Sequence, residues 1–194
     1  MYTQVSRVII KKTIHNSSPD MIVIKKDSCC VVEMKSHTGI IDFPLKRENT
    51  YRGEWIANLS SKKSQIINEG KPNPYSQVNT NAEAFEAYLE SIESKFLSDE
   101  AAGSLWFLIN RFILFTDPNV DFKHSSKKRK EEGNWFHRFN VGAINKTETK
   151  NGDVFTDFIS DMTTDVRNYK QDNRTKIHFD EKSLNGLIKS LSLD

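Results

Sequence analysis

The sequence predicts an α/β fold, because runs of β-branched and aromatic residues with strand propensity are interspersed with one long and two shorter helical patterns. Of its 194 residues, 37% are hydrophobic and 10% are aromatic, which is enough apolar surface to offset the entropy lost on ordering the chain. This length fits one domain of ordinary size with a small appendage. We therefore expect a globular protein and exclude a disordered one.

The N-terminal part is predicted to form strands. Residues 5–14 are rich in β-branched side chains, and residues 20–24 and 29–36 are two further apolar runs joined by a short polar turn. Strands that are joined so tightly should pair antiparallel. A further extended segment begins at Gly39, and the polar region 46–70 is predicted as strand and loop.

The clearest helix is predicted to start at Asn73, because Asn caps helices well and Pro74 suits the first helical turn. Apolar residues then recur at steps of three and four, which places on one helical face Val78, Ala82, Phe85, Leu89, Ile92 and Phe96. This stripe is expected to pack against a sheet or another helix.

The elements beyond this helix are less regular. Residues 105–115 are predicted to form a buried strand or strand pair, with a helix as the competing interpretation. A charged loop leads to a strand-like run at 135–144, and modest helical patterns follow around 155–169 and 181–191.

Several classes of protein are excluded. The longest apolar stretch, 105–115, contains Asn110 and Arg111 and is too short for a bilayer helix of roughly 20 residues. The first residues lack the apolar region and cleavage site of a signal peptide, so a cytoplasmic location is expected. The adjacent Cys29 and Cys30 are expected to be buried thiols in a reducing compartment.

Motifs for organic cofactors and for zinc are missing from the sequence. It contains no Gly-rich phosphate loop, dinucleotide fingerprint or nucleophile elbow. The histidines lack the spacing of a zinc site. Kinase, dehydrogenase and serine hydrolase functions therefore have no support.

The residues that carry chemistry lie on the predicted hairpin. Asp20 opens one strand, while Glu33 and Lys35 share one face near the end of the next. Two carboxylates that converge from adjacent strands repel each other unless a cation lies between them, and hard oxygen ligands suit Mg²⁺ or Mn²⁺. These are the parts of a metal-dependent phosphodiesterase, in which the lysine would orient or deprotonate the attacking water.

The same residues resemble a known signature. Pro19-Asp20, a spacer of twelve residues and then Glu33-Met34-Lys35 look like the PD-(D/E)xK motif of the restriction-endonuclease-like superfamily.

Three ordered motifs are similar to the nuclease-related domain family, NERD. Members show a VxEVKxxxG strand, a tryptophan and an NPxxQ helix start, and here residues 31–39, Trp55 and residues 73–77 match in this order. The resemblance covers about positions 18–120.

The resemblance implies a restriction-endonuclease-like core over residues 1–120, with a mixed central β-sheet flanked by helices. Residues 121–194 are then a small α+β C-terminal extension packed on the same domain. The implied catalytic residues are Asp20, Glu33, Lys35 and Gln77, and the implied ligands of Mg²⁺ or Mn²⁺ are Asp20, Glu33 and the main-chain carbonyl of Met34.

Two further features are predicted to contact nucleic acid. By alternation, His37 shares the face of Lys35 and can contact a phosphate. The net charge of +2 is too small to indicate nucleic acid by itself, but basic residues are concentrated locally. The basic run that can bind the DNA backbone, or else form a solvated loop, is Lys127, Lys128, Arg129 and Lys130.

The sequence therefore predicts a metal-dependent nuclease in a defence or repair system, with DNA favoured over RNA as the substrate and a homodimer left open. The alternative is a nuclease-like fold without turnover that binds nucleic acid or protein. Its main support is the start of the chain, where family members usually have a helix that can contribute an acidic residue and this sequence has a predicted strand. A third hypothesis is an assembly protein whose basic and acidic faces recruit copies of itself.

Overall fold

The structure, a computed structural model of the chain, describes residues 5–10, 18–26, 28–45, 52–92, 109–124, 139–144, 153–162, 165–168, 173–176 and 181–191. The chain divides into two units. The first consists of Met1–Val31, Asn81–Asn110 and Met162–Asp194, and the second of Val32–Thr80 and Arg111–Asp161.

Strands dominate the described residues. They are β1 (Val5–Ile10), β2 (Met21–Lys25), β3 (Cys29–Lys35), β4 (Gly39–Asp42), β5 (Ile56–Ser60), β6 (Lys63–Ile66), β7 (Ile109–Phe115), β8 (Val120–Phe122), β9 (Phe139–Ala143), β10 (Asp153–Val154), β11 (Asp165–Asn168) and β12 (Asn173–Lys176). The helices are α1 (Pro74–Glu90), α2 (Phe155–Asp161) and α3 (Glu181–Ser190).

Six of the described strands form one sheet in the order β1-β2-β3-β7-β9-β10. β1 pairs antiparallel with β2, whereas β9 pairs parallel with both β7 and β10. A second sheet has the order β6-β5-β4-β8, in which β4 pairs antiparallel with β5 and parallel with β8. Two mixed sheets with flanking helices confirm the predicted α/β class and agree with a restriction-endonuclease-like core.

The predicted hairpin near the N-terminus is confirmed. β2 and β3 are neighbours in the larger sheet, and the amide of Lys25 donates to the carbonyl of Ser28 at 2.8 Å. So short a connection can join only antiparallel neighbours. The side chains of residues 29–33 are all buried, which explains why this strand is continuously apolar up to Glu33 instead of alternating.

The strand interpretation of residues 105–115 is confirmed for β7, and the competing helix is wrong there. The two polar residues that interrupt this buried run both have partners. Asn110 Nδ2 donates to the carbonyl of Cys29 at 3.2 Å, and Arg111 Nε donates to Asn79 Oδ1 at 2.9 Å. Each of these hydrogen bonds offsets part of the desolvation cost of placing a polar side chain in this strand.

Helix α1 begins at the predicted cap. The side-chain oxygen of Asn73 accepts a hydrogen bond from the amide of Ser76 at 2.9 Å, as an N-cap does. The predicted stripe is buried on α1 at Val78, Ala82, Phe85 and Leu89, whereas Ile92 is buried in the turn after the helix, which ends at Glu90. Phe96 lies outside the described residues.

The helical pattern around residues 155–169 is only partly right. α2 forms over its first part, but the expectation of helix at residues 165–168 is wrong, since β11 lies there and pairs antiparallel with β12. Strand pairing depends on a partner elsewhere in the chain, which local apolar spacing does not reveal. The pattern at 181–191 is confirmed by α3.

Residues on both sides of position 120 contribute to the same sheets. β8 pairs with β4, and β9 pairs with β7. The division of the chain into 1–120 and 121–194 stays a prediction. Within the part of the chain that is described, no helix is long and apolar enough to cross a membrane.

Candidate active site

The end of β3 carries a buried ion pair. Glu33 is 2% exposed and Lys35 is 8% exposed, and Lys35 Nζ lies 2.9 Å from Glu33 Oε1. Side chains two apart on a strand share a face, as predicted. An exposed pair of this kind would have little energetic weight, but a buried pair persists only where additional hydrogen bonds compensate for desolvation.

One additional hydrogen bond comes from α1. Gln77 lies in the first turns of this helix, and its Oε1 accepts a hydrogen bond from Lys35 Nζ at 2.9 Å. Asn73, which caps the helix, also donates through Nδ2 to the carbonyl of Gly53 at 2.9 Å and so ties the helix start to the preceding loop. The structure therefore brings together Glu33, Lys35 and Gln77, as predicted.

A fourth residue, Asn68, was missed by the sequence analysis. Its Nδ2 donates to Gln77 Oε1 at 2.9 Å and to the carbonyl of Pro72 at 3.1 Å. Its backbone has a φ of 62°, in the left-handed region that Asn tolerates better than most residues. The Asn-Glu-Gly turn just before the helix start was the available signal. We call Glu33, Lys35, Gln77 and Asn68 the lysine cluster.

Backbone hydrogen bonds hold both the Asn68 turn and the strand of Lys35 in place. The amide of Ile67 donates to the carbonyl of Trp55 at 2.8 Å, which fixes the chain immediately before Asn68. The carbonyl of Lys35 accepts a hydrogen bond from the amide of Thr116 at 2.9 Å, just after β7. Trp55 is itself buried and stacks on Phe43, so it is a packing residue.

His37 lies just beyond β3 and is half-buried. Burial lowers the pKa of His37, and the positive charge of Lys35 lowers it further. Its Nδ1 is buried and has no hydrogen-bond partner among the residues that the structure describes. Burial and the positive charge of Lys35 therefore both favour the neutral form of the His37 imidazole.

The predicted metal ligands Asp20, Glu33 and Met34 lie on or next to β2 and β3. Asp20 immediately precedes β2 and is half-buried, and Met34 lies between Glu33 and Lys35 on β3. Asp20 belongs to the first unit and Glu33 to the second, so their convergence on one ion stays a prediction. Across the described ranges, no group of three or more His, Cys, Asp or Glu side chains has the arrangement of a metal site.

The predicted basic run lies outside the described residues, which resume at residue 139 after residue 124. The role of this run in nucleic-acid binding stays a prediction. Its members are Lys127, Lys128, Arg129 and Lys130.

The lysine cluster has a definite chemical capacity. A lysine ammonium carries three protons, and Lys35 directs two of them to Glu33 Oε1 and Gln77 Oε1. The third can be donated to a water molecule or to an oxygen of a substrate. A cation held rigidly in this way stabilises negative charge without reorganising when that charge develops.

Comparison with known proteins supports a relationship to nucleases. The family model described as the nuclease-related domain, NERD, matches residues 2–116. No curated protein and no solved structure matches the chain.

Proposed function

This chain belongs to the nuclease-related domain family, and on that premise we propose that it is a metal-dependent nuclease that hydrolyses phosphodiester bonds, in DNA rather than RNA. The observation that carries this proposal is the lysine cluster. A lysine that lies buried between a carboxylate and a side-chain amide is held where it can act on a water molecule or a phosphate oxygen.

The proposed ligands fit a hard divalent cation. The carboxylates of Asp20 and Glu33 and the main-chain carbonyl of Met34 are all oxygen donors, which suit Mg²⁺ or Mn²⁺ and not a soft metal. Glu33 and Met34 lie on β3, and Asp20 immediately precedes the neighbouring strand β2. When bound, such an ion lowers the pKa of a coordinated water and stabilises charge on a phosphate.

The other proposed roles belong to side chains of the protein. Lys35 donates its third proton toward the water or phosphate oxygen, while Glu33 and Gln77 keep the ammonium in position. His37, neutral and next to this charge, contacts the adjacent phosphate. The basic run at residues 127–130 contributes affinity for the backbone that is independent of sequence and weakens with salt.

The test is cleavage of labelled linear DNA, circular DNA and RNA by the purified chain in Mg²⁺, Mn²⁺ or EDTA. We expect DNA cleavage only with a divalent ion, and a loss of about 10²-fold or more in Glu33→Gln. Cutting of circles would identify an endonuclease. No cleavage in any ion, with DNA binding unchanged in the variant, would overturn catalysis and favour a binding module.

Thermal unfolding tests the ligands separately from turnover. A ligand that binds the folded chain stabilises it by mass action, so Mg²⁺ should raise the unfolding midpoint of the wild type. The shift should be smaller in Asp20→Asn and in Glu33→Gln. Equal shifts in the wild type and in both variants would show that the ion binds elsewhere.

A further inference from the structure

The orientation of the Gln77 amide is determined by unambiguous neighbours. The carbonyl oxygen of Pro72 can only accept, so the atom of Asn68 that faces it at 3.1 Å must be the donor Nδ2. The same Nδ2 then faces Gln77 at 2.9 Å, which requires the acceptor Oε1 there. Lys35, which can only donate, requires the same end independently. Reversing the Gln77 amide would place donors against two donors.

The opposite end of this amide is open. Both contacts of Gln77 with the rest of the cluster use Oε1, and no described residue accepts a hydrogen bond from its Nε2. Nε2 is also not one of the buried atoms without a partner, so it reaches solvent. The side chain therefore presents two N–H donors beside the Lys35 ammonium.

We propose that Gln77 binds substrate through Nε2, which donates a hydrogen bond to a non-bridging phosphate oxygen, and that Asn68 is the positioning residue that sets this orientation. Because Oε1 already accepts from an ammonium and an amide, Gln77 is a donor to the anionic substrate and not an oxygen ligand of a cation. This role rests on the proposed function and specifies the recognised group, a phosphodiester.

Asn68 is suited to positioning because it is constrained on several sides. Its carbonyl accepts a hydrogen bond from the amide of Lys71 at 2.9 Å, and Gly70 in the same turn also has a positive φ of 71°. Its side chain spans from Pro72 to Gln77 and so links the turn to the helix. Asn68 has no hydrogen bond to Lys35, so it acts through Gln77.

The decisive variant is Gln77→Glu, which keeps an oxygen toward Lys35 and Asn68 but replaces the donor Nε2 with a second oxygen. We expect KM for a short DNA duplex to rise by about tenfold or more, the loss of one charge-assisted hydrogen bond, with the thermal midpoint retained. The matched control is Gln65→Glu, which adds the same charge at an exposed position of β6 and should leave KM near that of the wild type.

Asn68→Gly tests the positioning role, because glycine accepts the left-handed backbone and removes only the amide. KM should rise severalfold while kcat changes less. In a Gln77→Ala background the same change should have no further effect on KM, since Asn68 acts through Gln77. An equal effect in both backgrounds would reduce Asn68 to a structural residue and overturn its assignment.

The outcomes separate this role from the proposed function. If the wild type neither binds nor cleaves DNA in any divalent ion, both are overturned. If the wild type cleaves DNA and Gln77→Glu keeps its KM or gains affinity for Mg²⁺, cleavage stands and the donor role of Gln77 is wrong.

Discussion

Two buried lysines on neighbouring strands have different partners. Lys25 at the end of β2 is 1% exposed, and its Nζ donates to the main-chain carbonyl of Met162 at 2.7 Å. Ser28 Oγ donates to the same carbonyl at 3.2 Å. Lys35 at the end of β3 is 8% exposed and donates to the side chains of Glu33 and Gln77.

Burial alone therefore does not distinguish the two lysines. A main-chain carbonyl is placed by the fold and changes position only if the backbone moves, so Lys25 fastens one segment to another. The acceptors of Lys35 are instead side chains of the lysine cluster, which hold its ammonium at the position that the proposed function requires. The kind of acceptor distinguishes the two lysines.

The largest expected effect is on cleavage. Lys35→Met should lower the rate of metal-dependent DNA cleavage by about 10³-fold, because it removes the hydrogen-bond donor that the proposed function directs to the water or phosphate oxygen. Lys25→Met is the matched control and should keep the rate per folded molecule. Equal losses in the two variants would contradict the assignment of a catalytic role to Lys35 and a structural role to Lys25.

A smaller effect is expected on the free energy of unfolding, through the interaction between Lys35 and Glu33. Lys35→Met removes the ammonium 2.9 Å from the buried Glu33 carboxylate and should lower the free energy of unfolding by about 3 kcal/mol. In a Glu33→Gln background, where that carboxylate is neutral, the same change should cost about half as much. Urea unfolding of the four proteins in EDTA measures this, and strict additivity would contradict it.

Lys25→Met should lower the free energy of unfolding by about 1–2 kcal/mol, since the Met162 carbonyl loses one of two donors but keeps Ser28. Divalent ions should not restore this loss. A recovery of stability on adding Mg²⁺ would mean that Lys25 also belongs to the metal-linked site.

The smallest expected effect is on the protonation of His37. Burial and then the charge of Lys35 lower the pKa of His37 below its ordinary value of 6.5, so the unfolded chain takes up this proton at a higher pH than the folded chain. His37 therefore favours folding above pH 6.5, and this contribution is lost as the pH falls through that value toward the folded pKa. NMR titration should give a higher His37 pKa in Lys35→Met but not in Lys25→Met. Identical titrations in both variants would contradict an influence of Lys35.

Local patterns accounted for much of the fold. The β2–β3 hairpin and the start of α1 depend on residues that are close in sequence, namely a short turn and the Asn73-Pro74 cap. Alternation correctly placed Glu33 and Lys35 on one face. The contact of Gln77 with Lys35 was expected from the family resemblance, since nothing local links residues so far apart in sequence.

Features that depend on contacts between two elements were not predictable in the same way. The strand at residues 165–168 forms because of its pairing with β12, and its own residues suggested a helix. Asn68 joins the lysine cluster only because the turn after β6 leads back to the helix start. An Asn in a turn has many structural uses, so the residue type alone did not identify it.

The buried thiols of Cys29 and Cys30 provide a way to measure the local opening of β3 by chemical labelling. Both side chains are 0% exposed, and burial raises the pKa of Cys29 to about 12, so the reactive thiolate is suppressed in the native state. A maleimide can label them only after the strand detaches. Because Glu33 and Lys35 follow on the same strand, the labelling rate of the unmodified protein measures how often the strand that carries the lysine cluster opens.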